Sequence, residues 1–174
     1  MVKPTAMSGH VQIRPIRTAD RDELSRFYAG LSADSRYARF HAVSRGIGKE
    51  AADVLCGPDH EHREGLVAEI ARADPDAVGI VGHLCLEPCA AGFEMAIAVA
   101  DDWQRCGVGR SLLRAALEWA ADHGIARLEA STLSTNCAIL GLIASVERPV
   151  RLSAPSAGVI IVTIDIGGAL PNAA

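Results

Sequence analysis

Residues 99–111 read Val99-Ala100-Asp101-Asp102-Trp103-Gln104-Arg105-Cys106-Gly107-Val108-Gly109-Arg110-Ser111. A strand-like run, Met95-Ala96-Ile97-Ala98-Val99, leads into a turn that holds Gln104, Gly107 and Gly109. A helix pattern follows at once, with Val108, Leu112, Ala115, Ala116 and Trp119 on one face. Strand, glycine turn and helix N-terminus form the layout of an anion cradle. Gly107 and Gly109 let a backbone approach a phosphate without a Cβ in the way. The N–H groups from Arg105 to Arg110 can then point at phosphate oxygens, and Arg110 and Ser111 can add side-chain donors. Asp101 and Asp102 are anionic, so they must point away from such a ligand.

Outward from this turn, strands and helices interleave. Val11 to Ile16 alternates like a first strand, with Pro15 suiting an edge or a strand end. Thr18 is placed to cap a helix carrying Leu24, Phe27, Tyr28 and Leu31. Shorter helices are expected over 32–40 and 49–56. Leu66 to Ile70 and Val78 to Leu86 read as strands around a turn at 71–77. A second turn at 88–92 precedes the strand Phe93 to Val99. Gly124 suits the C′ position after the central helix. A strand over 126–133, a helix over 136–146 and a hairpin of 150–153 with 159–166 complete the chain. The expected class is α/β (α+β) with a mixed sheet in a single domain.

Composition narrows the function. The 174 residues are 49% hydrophobic and 22% charged, with a net charge of −4. No basic run stands out and aromatics are few, which argues against a nucleic-acid partner. The first ten residues lack an apolar signal-peptide core, and no apolar stretch is long enough to span a membrane. A cytoplasmic protein without a membrane partner is the expectation. Cys56, Cys85, Cys89, Cys106 and Cys137 form no CxxC pair, so neither disulfides nor a metal are expected. His60-Glu61-His62 sits in a polar, Pro-containing stretch and reads as a solvated loop.

The stretch Gln104-Arg105-Cys106-Gly107-Val108-Gly109 resembles the coenzyme A signature Q/R-x-x-G-x-G/A of the GCN5-related N-acetyltransferase (GNAT) superfamily. The order of elements is similar from about Val11 to Ile166. A dinucleotide fold competes, but it wants Gly-x-Gly-x-x-Gly after the first strand, and position 112 is Leu. The resemblance implies the GNAT fold, a twisted, mostly antiparallel mixed sheet flanked by helices. It implies acetyl-CoA as cosubstrate, no metal, and a catalytic domain over 11–167 between tails at 1–10 and 168–174. It places coenzyme contacts at Ile97, Ala98, Val99, Gln104, Arg105, Cys106, Gly107, Val108, Gly109, Arg110 and Ser111. Cys106 supplies its backbone. Asn136 either caps its helix or contacts the pantetheine arm.

A narrower resemblance joins Glu94 through Gln104, and Leu31 through Phe40, to bacterial Pat-type protein lysine acetyltransferases. It implies Glu94 as general base. On a strand, Glu94 shares a face with Ala96, Ala98 and Ala100, a small-residue face ending in a carboxylate. The expected reaction is acetyl transfer to a primary amine, on a protein lysine or a small molecule. A non-catalytic acyl-CoA sensor is the alternative. Many relatives carry a tyrosine acid near the last helix. Here the only tyrosines are Tyr28 and Tyr37, and the usual Gly-Phe ending of that helix is replaced by Val146-Glu147-Arg148-Pro149. The oligomeric state is left open, a homodimer included.

Overall fold

The computed structural model describes residues 11–41, 46–71 and 78–167. Both expected tails, and residues 72–77 of the expected turn, lie outside these residues. In chain order the elements are β1 (Val11–Pro15), α1 (Arg21–Gly30), α2 (Ala33–Phe40), α3 (Lys49–Leu55), β2 (Glu64–Ala71) and β3 (Val78–Cys89). Then come β4 (Gly92–Val99), α4 (Val108–Asp122), β5 (Arg127–Leu133), α5 (Cys137–Ile143), β6 (Val150–Leu152) and β7 (Val159–Asp165). The seven strands form one sheet in the order β1-β2-β3-β4-β5-β7-β6. β4 and β5 pair in parallel, and the other neighbours pair antiparallel.

Alternation along β4 separates two cores. Met95 is buried, with Ile97 and Val99 packed beside it, in the cluster that contains Leu112, Leu113 and Ala116 of α4. Ala98 faces the other way, into the cluster of Ile16, Leu24, Phe27 and Tyr28 under α1. The period-2 pattern of one strand is thus read by a different layer on each side of the sheet. α4 closes with Gly124 at φ 67°. The Ile125 N–H donates to Ala120 O at 2.8 Å and the Gly124 N–H to Ala121 O at 3.1 Å. These two bonds make a Schellman motif, which satisfies carbonyls the helix end would orphan.

Three local expectations are corrected. Thr18 does not cap α1. Residues Thr18–Asp20 form a 3-10 turn, and Asp20 accepts from the Arg17 N–H at 2.7 Å. Arg14 holds both Asp20 oxygens at 2.7 and 2.8 Å and reaches Glu69 at 2.6 Å, tying β1 to β2. Pro88 does not begin a turn. β2 pairs with β3 only as far as Leu86, so Pro88 sits where the strand has a free edge. α5 ends at Ile143 rather than 146, and the Ser145 hydroxyl donates to the Leu142 carbonyl at 2.7 Å. That bond competes with a further helical turn.

Candidate active site

β4 and β5 pair only at Phe93↔Leu128 and Glu94↔Glu129, then diverge. The divergence opens a cleft of about 770 Å³ between Met95–Val99 on one side and Ala130–Thr132 on the other. α2 and α5 contribute the remaining walls, and the 104–110 loop closes one end. Beyond Glu94 no strand among the described residues bonds this edge of β4; the Gln104 side chain serves Val99 O, and the remaining backbone groups need partners from the cleft.

The loop at the cleft end has the geometry of an anion cradle. Arg105 lies at φ 63° and Gly107 at φ 89°. A non-glycine residue at positive φ is uncommon, and such strain gathers at ligand sites. Gly107 is the N-cap of α4 and supplies no side-chain cap. The first helical bond runs from the Ser111 N–H to Gly107 O at 3.0 Å. The N–H groups of Val108, Gly109 and Arg110 therefore have no helical acceptor.

Asp101 is turned away from this cradle. Its carboxylate accepts from the Ser32 N–H at 2.8 Å and from the Ser32 and Ser35 hydroxyls at 2.7 Å each. Burial opposes its ionisation, yet these donors hold the carboxyl below its usual value. Gln104 is likewise engaged: its Nε2 donates to Ser35 Oγ at 3.0 Å and to Val99 O at 3.2 Å. These residues therefore fasten α2 to the end of β4.

A family model for the acetyltransferase (GNAT) family matches residues 43–144, more than half of the chain. The chain belongs to the GNAT acetyltransferase family. An acetyltransferase of Pseudomonas aeruginosa is 28% identical over 142 residues, covering 77% of this chain and 75% of that protein. The GNAT domain of S. lividans PAT is similar with a TM-score of 0.77 at 24% identity, covering 89% of this chain and 90% of that one. The yncA protein of Salmonella typhimurium, solved with its cofactor acetyl-CoA, has a TM-score of 0.67 at 19% identity, covering 94% and 99%. The two structural likenesses carry the fold, which is the GNAT fold.

In this GNAT acetyltransferase the cleft brings together Ile97, Ala98, Val99, Gln104, Arg105, Gly107, Gly109, Arg110 and Asn136. Asn136 caps α5: its Oδ1 accepts from the Ile139 N–H at 3.2 Å. Cys106, Val108 and Ser111 do not line the cleft. Cys106 is exposed, with its Sγ 3.5 Å from Gln104 O, and the Val108 side chain is buried in the α4 core. Glu94 lies just outside the lining, one residue before Met95. It is exposed, and among the described residues its carboxylate makes no hydrogen bond or ion pair.

Sequence reasoning missed the contribution of α2. Asp34, Ser35, Ala38 and Arg39 form a wall of the cleft. Behind them, Tyr28 Oη lies 2.9 Å from His83 Nδ1. His83 is fully buried. Burial first, and then the Arg39 guanidinium, hold it down at about 3, so it is neutral. Burial pushes the Tyr28 phenol up to about 12. No signal along the chain joins residues 28, 39 and 83, because three separate elements deliver them.

The expected solvated loop at His60–His62 is exposed. Asp59 Oδ1 accepts from the N–H groups of Glu61, His62 and Arg63 at 2.7–3.0 Å. No helix among the described residues is long and apolar enough to cross a membrane.

Proposed function

We propose that this acetyltransferase moves an acetyl group from acetyl-CoA to a primary amine by direct attack, with Glu94 as general base. The observation that carries the reading is the splay of β4 from β5 ending at an uncapped helix N-terminus. The pyrophosphate sits on the N–H groups of Val108 to Arg110, where the helix dipole and the Arg105 and Arg110 side chains favour negative charge. The pantetheine arm lies along the open edge of β4 at Ile97 to Val99 and bonds its free backbone groups. Gln104 and Asn136 act by holding the walls in place, since their side chains bond within the protein. Cys106, Val108 and Ser111 contribute backbone or packing.

The acceptor nitrogen attacks the thioester carbonyl carbon, the new C–N bond forms and the C–S bond breaks. An alkylamine with a pKa near 10.4 must first lose a proton at neutral pH. Glu94, which makes no hydrogen bond or ion pair among the described residues, takes it directly or through one water. An N–H on the open β4 edge polarises the carbonyl. The thiolate leaves with a conjugate acid near 8.5, and through water it takes the second proton that the nitrogen sheds as the amide forms. Tyr28 is not the acid, because its phenol is buried, bonded to His83 and pushed up to about 12.

Protein lysine is the first acceptor class, on the resemblance of Glu94–Gln104 and Leu31–Phe40 to the Pat-type branch. A small-molecule amine is the second, for which the α2 wall beside β4 offers room and side-chain contacts. The test is acetyl-CoA turnover against a panel of proteins and small amines, with Glu94→Gln alongside. Loss of turnover with retained coenzyme binding supports the base. Unchanged turnover removes Glu94 from the mechanism. Coenzyme binding with no amine acetylated favours an acyl-CoA sensor.

A further inference from the structure

The proposed transfer leaves the Arg39 cation unused. Arg39 stands in the cleft wall next to Ala38, facing the side of β4 that carries Ala96. Its Nη2 lies 3.5 Å from Cys85 Sγ, and its Cζ stacks 5.0 Å from the Phe40 ring centroid. Its Nε is buried and has no hydrogen-bond partner among the described residues. No carboxylate among the described residues pairs with it. The groups that touch it are neutral near pH 7: burial pushes the Tyr28 phenol up to about 12 and raises the Cys85 thiol. Both bond the guanidinium and hold it above its ordinary value against burial, while His83 behind them is held near 3. A guanidinium presents five N–H donors in a planar fork that matches a carboxylate. Burial opposes such a cation, its neighbours offer it hydrogen bonds but no carboxylate, and a ligand carboxylate would supply the missing charge.

We propose that Arg39 binds a substrate carboxylate, carried by the amine acceptor. This rests on reading the cleft as an acyl-transfer site. α2 runs back along β4: Ser35 meets Gln104 at one end, and Arg39 meets Cys85, the cross-strand partner of Ala96, at the other. Glu94 is two residues beyond Ala96 on the same face, about 7 Å along the strand. An acceptor held by its carboxylate at Arg39 therefore presents an amine a few bonds away, between the open β4 edge and Glu94. A free amino acid, or another small amine with a nearby carboxylate, has this shape, which selects the small-molecule acceptor class over protein lysine. The same chemistry has a second source, the distal carboxylate of a dicarboxylic acyl thioester. The position of Arg39 on the Glu94 face favours the acceptor.

The test compares matched amines that differ only in carboxylate against carboxamide, and succinyl-CoA against acetyl-CoA. Wild type, Arg39→Gln, Arg39→Lys and Tyr28→Phe are assayed together. In wild type kcat/KM favours the carboxylate amine tenfold or more. Arg39→Gln brings that ratio near one, Arg39→Lys falls between, and Tyr28→Phe keeps the wild-type ratio. A preference that appears only for succinyl-CoA and vanishes in Arg39→Gln moves the carboxylate to the acyl group, overturning the acceptor assignment while retaining the Arg39 site. A ratio that survives Arg39→Gln, is absent from wild type in both panels, or is lost equally in Tyr28→Phe overturns the proposal. If no amine turns over, calorimetry with an N-acetyl amino acid and coenzyme A decides. Binding to wild type but not to Arg39→Gln supports the carboxylate site even though the transfer reading has failed. Binding to neither, or to both alike, overturns it.

Discussion

Glu94 and His83 are both titratable and lie two β4–β3 pairs either side of Ala96↔Cys85, yet their surroundings give them opposite uses. Glu94 is exposed and unpaired among the described residues, so it can accept a proton and return it to water. Glu94→Gln is expected to lower kcat by roughly 10²–10⁴-fold with coenzyme affinity retained. Part of the loss returns as pH rises towards the amine pKa, and pH–rate profiles of both proteins check this. His83 is fully buried and bonded to Tyr28, and its folded value of about 3 lies below the unfolded value of 6.5. Between those values the unfolded chain binds the extra proton. This contribution is therefore complete above about pH 6.5 and is lost progressively as pH falls towards 3. Stability is expected to drop by about 2 kcal/mol from this one group between pH 7 and 5. Urea titrations at the two pH values measure it, and His83→Gln should show a correspondingly shallower fall. The alternation that places Glu94 with Ala96 and Ala98 was legible, because a strand has period 2. The chemistry of Arg39 was not, since it depends on which neutral groups a helix and two strands bring around it.

At the scale of elements, the junction of β4 with β5 decides whether the cleft exists. Gly92, at φ 135°, begins β4, and a Cβ there would lie 2.8 Å from the Arg127 carbonyl oxygen. Phe93 and Glu94 follow at once and make the whole β4–β5 pairing. Gly92→Ala is expected to cost roughly 1–3 kcal/mol through strain and overpacking. It should also lower kcat/KM by moving Glu94 away from the open edge. Denaturant unfolding and steady-state kinetics on one preparation separate the two effects, and unchanged values for both would show that the junction accommodates the methyl group. The glycine turn before α4 was legible, because Gly107 can take the positive φ of 89° that the turn needs at no steric cost. The helix cap at Thr18 was misread: Arg14 captures Asp20 from outside the segment, and a local rule has no term for that. α5 ends in a tightened turn, in which the Ser145 and Val146 N–H groups bond carbonyls three residues back and the Ser145 hydroxyl also bonds Leu142 O.

At the scale of the molecule, the two sheet halves β1–β4 and β5–β7–β6 meet through two residue pairs and share the core beneath α4. A coenzyme lying between the open strand edges would add contacts to both halves. Free acetyl-CoA at 100 times its Kd should stabilise the fold by about 2.7 kcal/mol. For a chain of this size that raises Tm by roughly 5–11 °C, whereas NAD and ATP should not. A thermal scan in the three ligands reads the outcome directly, and equal shifts would remove the coenzyme A assignment. The sequence by itself determined the strand–turn–helix unit at 95–122, the two faces of β4 and the order of most elements. These depend on local backbone freedom and on the periods of strand and helix. Only the tertiary structure decided where β4 leaves β5, that Asp101 and Gln104 fasten α2 to the end of β4, and that Arg39 stands in the cleft wall with no carboxylate partner among the described residues. Those features arise from groups far apart in the chain. Their energies depend on burial and on partners, which exist only once the sheet has assembled.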